Sequence, residues 1–181
     1  MEKPHKGGKE EIEIKPLGSY LEVDEDGYII NPASLEKIQE EWKPVIQDVI
    51  EAYQGHFGEK LKNVYIRGSV AKGEAVKGIS DIDSFAYIDL PKESIDTGWE
   101  EEAEGKIEEK YPFTKGAELM CRPLAVGPMN IIFLNQSVCV YGNPIEVRKV
   151  KPGKEMMMHI PNLEKRIEIL EKKLDNTQSK E

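Results

Sequence analysis

The chain has 181 residues and a mass of 20.5 kDa, with 39% hydrophobic and 33% charged residues. That balance suits one soluble globular domain with a small appendage. With 25 Lys and Arg against 34 Asp and Glu, the formal net charge is −9, which argues against a broad duplex-DNA face, since such faces need a basic surplus. It leaves room for a small phosphorylated ligand, because a metal ion can supply positive charge locally. The sequence has no run of 18 apolar residues, so no membrane-spanning helix is expected. The N-terminal stretch lacks the apolar centre of a secretory signal, and a cytoplasmic location is expected.

Taken in chain order, residues 1–18 read as a flexible tail, 19–152 as the main domain, and 153–181 as a C-terminal helix with a polar end. Two short apolar runs flank Asp26-Gly27 and predict a hairpin or tight turn. Asn31-Pro32 resembles a helix start. Leu35, Ile38, Trp42, Val45, Ile46, Val49, Ile50 and Tyr53 follow at helical spacing and predict a helix of about six turns. Gly58 is placed to end it. LKNVYIRGS reads as a strand ending in glycine, KGEAVKGIS as a loop, and DIDSFAYID as a second strand. Residues 99–111 predict a helix whose six glutamates form a solvated face. AELMCR reads as a third strand, with Pro123 marking an edge, a bulge or a strand end. MNIIFLNQ predicts a short helix and VCVYG a further strand. These elements make an α/β (α+β) domain, a small mixed twisted sheet flanked by helices. Beyond it, Ile160, Leu163, Ile167, Leu170 and Leu174 recur as a/d positions. This amphipathic helix either packs back on the domain or offers residues 155–175 to a partner or a second copy.

Cys121 and Cys139 form no CxxC pair and sit in apolar stretches, as packing residues in a reducing compartment do. His5, His56 and His159 form no cluster, which gives little support to a histidine metal site or a histidine base.

The segment Val64–Asp89, VYIRGSVAKGEAVKGISDIDSFAYID, carries the chemistry. A strand ends at Gly68-Ser69, where glycine permits close backbone approach and serine offers a hydroxyl. The following backbone can present N–H groups to phosphate oxygens. Asp81 and Asp83 are two residues apart at the start of the next strand, so their side chains share one face. Two carboxylates aimed the same way repel unless a cation lies between them, and magnesium favours carboxylates combined with substrate phosphates. Arg67 reads equally as a surface residue or a functional one. There is no GxxxxGK[ST] loop and no kinase signature.

The order strand, Gly-Ser, glycine-bearing loop, Ser-Asp-Ile-Asp, apolar strand resembles the nucleotidyltransferase superfamily related to DNA polymerase beta. It is most similar to the small domains of aminoglycoside nucleotidyltransferases and of minimal toxin-neutralising proteins. The specific motif covers about twenty residues, and looser similarity in element order runs from residue 33 to 147, including VCVYGNPI. The matching positions are Gly68, Ser69, Gly73, Asp81 and Asp83, with Lys72 where relatives often carry a basic residue.

The resemblance implies a nucleotidyltransferase-like fold. It also implies a third carboxylate on a neighbouring strand, with Glu118 the candidate where many relatives have Asp. Asp89 is the rival, about 20 Å from Asp83 along an extended strand. Asp81, Asp83 and Glu118 would hold two Mg2+ ions, and Gly68, Ser69 and Lys72 would bind the phosphates, with Gly73 as a turn residue. The implied reaction moves a nucleoside monophosphate, from ATP or another NTP, to a hydroxyl acceptor with release of pyrophosphate. A small molecule or a protein is favoured as acceptor over long nucleic acid. The alternative is an interaction protein that keeps the fold with little catalysis. The paired aspartates weigh against it, because a non-catalytic relative has little chemical need for them.

Overall fold

The computed structural model describes residues 22–124 and 128–152. The expected N-terminal tail, and the expected amphipathic helix at 155–175, lie outside the described residues. No helix among the described residues is long and apolar enough to cross a membrane.

The tight turn at Asp26-Gly27 forms, closed by Gly27 N–H donating to Asp24 O at 2.8 Å and flanked by a Val23–Ile29 bridge. Asn31 then accepts from the Ala33 amide at 3.0 Å, while its own amide donates to Ser137 O at 2.8 Å. The expected six-turn helix is replaced by two 3-10 turns, Leu35–Lys37 and Glu40–Trp42, followed by α1, Lys43–Phe57. Pro44 explains the break. Inside a continuous helix its missing N–H would leave the Glu40 carbonyl unpaired, whereas in the first turn of a helix that amide has no intrahelical partner to lose. Most of the predicted stripe is still buried, from Ile38 and Trp42 through Tyr53, but Leu35 is exposed. Gly58 ends α1 with φ +51°.

Four strands follow: β1 (Leu61–Arg67), β2 (Ile82–Ile88), β3 (Ala117–Pro123) and β4 (Ser137–Gly142). Three further helices lie between them: α2 (Gly68–Lys72), α3 (Glu100–Lys110) and α4 (Pro128–Leu134). The sheet order is β3-β2-β1-β4, with β1 antiparallel to β2 and β4, and β2 parallel to β3. A parallel pair needs a crossover, and α3 lies in the connection that makes it. The expected mixed sheet flanked by helices is therefore present.

Alternation along the strands sorts the residues to two faces. Val64, Ile66, Ile82, Ala86, Ile88 and Leu119 join α1 and Ile107 of α3 in the main core. Tyr65, Phe85 and Tyr87 lie on the opposite face with Leu134, joined by Met120, Phe133, Cys139, Ile145 and Val147. Cys121 and Cys139 are free and belong to the two outer strands, β3 and β4, separated by three inter-strand spacings of about 4.8 Å each. That distance excludes a disulfide between them.

The α3 glutamates differ from the expected uniform solvated face. β3 is an edge strand, and Glu104 accepts from the Leu119 amide at 2.8 Å while Glu108 accepts from the Ala117 amide at 3.1 Å. Glu100, one turn earlier, lies against the amide and thiol of Cys121, and burial raises its carboxyl above the usual range. Residues four apart on a helix thus meet residues two apart on a strand and cover the edge. Glu101, Glu102 and Glu109 remain exposed.

Candidate functional site

β1 delivers Arg67 and then turns at Gly68, whose φ of +73° is unfavourable for any residue with a Cβ. The approach is also close, since a Cβ there would lie 2.6 Å from Asp83 Oδ2. The chain then forms α2, which ends at Gly73 in the left-handed conformation, φ +75°. A Cβ on Gly73 would meet the Lys37 carbonyl at 2.5 Å, so this glycine is a packing and turn residue here. Ser69 and Lys72 are half-buried on this short helix. Ser80 is structural here: its hydroxyl accepts from the Val76 amide at 2.9 Å, and its carbonyl accepts from Lys115 N at 2.8 Å. Ile82 N donates to Gly116 O at 2.9 Å. These bonds fix the approach to β2, leaving Asp81 exposed just before the strand.

Register then assembles a row that linear spacing hides. Arg67 pairs with Asp83 across the antiparallel β1–β2 ladder, and Asp83 pairs with Glu118 across the parallel β2–β3 ladder. Arg67, Asp83 and Glu118 therefore stand side by side on three adjacent strands, on the face away from α1. The Arg67 Nη2 lies 3.0 Å from Glu118 Oε2 and 3.6 Å from Asp83 Oδ1. Asp83 is pushed up to about 6, first by burial and then by the neighbouring Glu118 and Asp81 carboxylates, with the Arg67 charge opposing them. Asp83 thus has every reason to attract further positive charge. Asp89, the rival third acid, stands beyond the far end of β2 and pairs with Lys62 at 3.1 Å.

A second feature adjoins the row. Phe133, from α4, lies beneath two guanidinium groups, with Arg67 Cζ 5.3 Å and Arg122 Cζ 4.7 Å from the ring centroid. Arg122 also lies 5.9 Å from the Phe85 ring. Neither Arg122 nor Phe133 was singled out as a site residue from sequence. The only available signal is parity, since Glu118 and Arg122 are four apart on one strand and so share a face. A groove of about 390 Å3 between α1 and α3, lined by Asp48, Trp99 and Lys106 among others, contains none of these residues. Its position on the helix-covered side carries no link to the paired carboxylates.

Among the described residues, no three His, Cys, Asp or Glu side chains converge as a ready metal cluster. The donor set nonetheless suits magnesium. Asp83 and Glu118 are register neighbours, Asp81 precedes them on the same strand approach, and all offer hard oxygen ligands. In this structure the Arg67 guanidinium bridges Asp83 and Glu118.

Residues 46–115 match the family model described as a nucleotidyltransferase domain. Over that stretch the chain is similar to nucleotidyltransferase domains. The matched stretch contains Gly68, Ser69, Lys72, Gly73, Asp81 and Asp83, and ends three residues before Glu118. Among solved structures, the chain is similar to the toxin–antitoxin MntA-HepT at 14% identity, over 73% of this chain and 98% of that one, with a TM-score of 0.39. It is also similar to a toxin–antitoxin solved with AMP-PNP at 12% identity, over 74% and 95%, with a TM-score of 0.39. No curated protein matches the chain.

Proposed function

We propose that this protein transfers a nucleoside monophosphate from a nucleoside triphosphate, with ATP the first candidate, to a hydroxyl acceptor, releasing pyrophosphate in a magnesium-dependent reaction. The observation that carries this reading is the Asp83–Glu118 register pair set against the Gly68 turn, and the match of residues 46–115 to a nucleotidyltransferase-domain model supports it. Asp81, Asp83 and Glu118 would hold the magnesium. When bound, that ion would neutralise charge on the triphosphate and on the attacking and leaving oxygens.

The chain's own residues have separable tasks. The Gly68 turn brings backbone against the carboxylates with no side chain in the way, and so leaves room for a phosphate beside Asp83. Ser69 contributes a hydroxyl at the start of α2, and Lys72 contributes positive charge to the same short helix. The β1–β2–β3 ladder holds the carboxylates in place before substrate arrives, so little reorganisation is needed at the moment of reaction. Glu118, the most exposed of the row, is the best-placed group to take the proton from the acceptor hydroxyl. A cytoplasmic setting fits the two free, half-buried cysteines. The acceptor is a small hydroxylated molecule or a protein side chain, since the net charge of −9 disfavours long nucleic acid.

The test is pyrophosphate release from each of the four nucleoside triphosphates, with and without magnesium, across an acceptor panel. Wild type is expected to release pyrophosphate only with magnesium, and the Asp81→Asn/Asp83→Asn double variant is expected to lose at least about 10^3-fold, equivalent to roughly 4 kcal/mol. Equal rates in wild type and the double variant would remove the aspartates from the reaction.

A further inference from the structure

Arg67 stands where its side chain touches both register-paired carboxylates. A single nitrogen, Nη2, contacts Glu118 Oε2 at 3.0 Å and Asp83 Oδ1 at 3.6 Å. The arrangement follows from the backbone, because Arg67, Asp83 and Glu118 are consecutive partners across three strands. Yet the contact is not a closed fork. Arg67 Nε is buried without a hydrogen-bond partner among the described residues, whereas a guanidinium committed to carboxylates generally engages them through two parallel N–H groups. The side chain has a second hold, the Phe133 ring 5.3 Å from its Cζ, which does not depend on the carboxylates.

We propose that Arg67 is the resident counter-cation of the carboxylate row and is displaced from it when a divalent metal binds, so that this side chain sets how tightly the site takes metal before nucleotide arrives. This rests on the reading of the row as the metal-holding site. A guanidinium does not give up its proton under ordinary conditions, so it yields the site only by moving. A divalent ion and a guanidinium on the same two carboxylates repel at contact distance, and the half-buried setting screens that repulsion poorly. The Arg67 side chain is 30% exposed and its guanidinium leans on Phe133, so it has somewhere to go: it releases Glu118 and Asp83 while keeping its aromatic contact. In the metal-free protein it keeps Asp83 and Glu118 from repelling each other. Arg67 is thus a positioning residue that acts through the carboxylates.

The experiment is a Mn2+ titration of the full chain without nucleotide, followed by calorimetry and by the electron paramagnetic resonance signal of free Mn2+, on wild type, Arg67→Gln and Arg67→Lys. Far-UV circular dichroism checks that each variant is folded. Arg67→Gln is expected to bind Mn2+ roughly tenfold more tightly than wild type, because the competing charge is gone. Arg67→Lys is expected to fall between them, since it keeps the positive charge on a shorter stem that lacks the planar guanidinium seated on Phe133. Equal or weaker binding by Arg67→Gln would overturn the proposal while leaving the metal-site reading intact, and would make Arg67 a structural link between strands. Failure of both wild type and Arg67→Gln to bind Mn2+ would overturn both. Should Arg67→Gln not fold, Arg67→Lys decides: tighter binding than wild type supports the proposal, and unchanged binding overturns it.

Discussion

Asp83 and Ser84 are neighbours in one strand and face opposite sides of the sheet, and they meet opposite fates. Ser84 is fully buried under α1, and its polar demand is met: its hydroxyl donates to Glu118 O at 2.9 Å and lies 3.1 Å from the Tyr53 hydroxyl, which itself donates to Met120 O at 3.2 Å. Asp83 is half-buried on the other side, crowded by Glu118 and Asp81 and relieved by Arg67. One face of the sheet is a closed core in which the Ser84 and Tyr53 hydroxyls have partners. The other holds charge that its own residues balance incompletely. The contrast underlies the proposal: Asp83 and Glu118 share one guanidinium between them, and crowded carboxylates are candidates for binding a further cation.

Changes on the two faces should therefore separate stability from activity. On the helix side, Trp42 is completely buried and packs edge-on to Phe113 at 5.3 Å. Trp42→Ala is expected to cost about 3–5 kcal/mol in urea unfolding, while the fraction that remains folded keeps its pyrophosphate release per molecule. A loss of activity in the folded fraction as large as that of the double aspartate variant would erase the contrast. On the row side, Gly68→Ala places a methyl against Asp83 at a left-handed position. It is expected to lower kcat/KM about 100-fold, or roughly 2.7 kcal/mol, with a stability loss of only about 1–2 kcal/mol. A variant with full activity would show that the turn has no part in ligand approach.

A smaller effect is expected at the β3 edge. Glu104→Ala leaves the Leu119 amide without its acceptor and should lower stability by about 1 kcal/mol, the partial exposure of Glu104 limiting the loss. It should also speed hydrogen exchange at Leu119, and unchanged exchange would show that the edge is guarded by something else. The smallest effect has an unusual sign. Because Asp83 titrates near 6 in the fold, above its ordinary 3.8, its contribution to stability is fully present below about pH 4 and is lost as the pH rises through 6. Asp83→Asn mimics the neutral form. In metal-free buffer at pH 7 it is expected to raise the melting temperature by roughly 1–3 °C, even though the reaction is lost, and to flatten the pH dependence between 4 and 7. A lower melting temperature would mean that the Arg67 ion pair outweighs the crowding.

Much of this layout was legible from the residues. β-branched and aromatic runs marked β1 and β2, Gly58 marked the end of α1, Pro123 marked the end of β3, and Gly-Ser with Asp-x-Asp marked the candidate site. Three things were not legible, each because it depends on partners distant in sequence or on one residue overriding a pattern. The periodicity from Leu35 to Tyr53 was sound, but Pro44 removes a single N–H and divides the segment into 3-10 turns and α1. The glutamates of α3 read as a charged face because nothing in a run of acids reveals that every fourth one meets an edge amide of β3. Arg67 stayed ambiguous because its meaning lies in strand register, which brings positions 67, 83 and 118 together and leaves no mark on linear spacing. Glu118 was the expected third acid from its place in the family pattern, and the structure makes it the register partner of Asp83.

The central claim, that the Asp83–Glu118 pair is the metal-holding heart of a nucleotidyl-transfer site, is tested most directly by a crystal structure with Mn2+ and a non-hydrolysable nucleoside triphosphate, read by anomalous scattering. The account predicts a manganese peak in contact with Asp83 and with Asp81 or Glu118, the triphosphate against Gly68 and Ser69, and the Arg67 guanidinium withdrawn from the carboxylates. A structure with Arg67 still bridging Asp83 and Glu118, and manganese and nucleotide bound elsewhere or not at all, would contradict it.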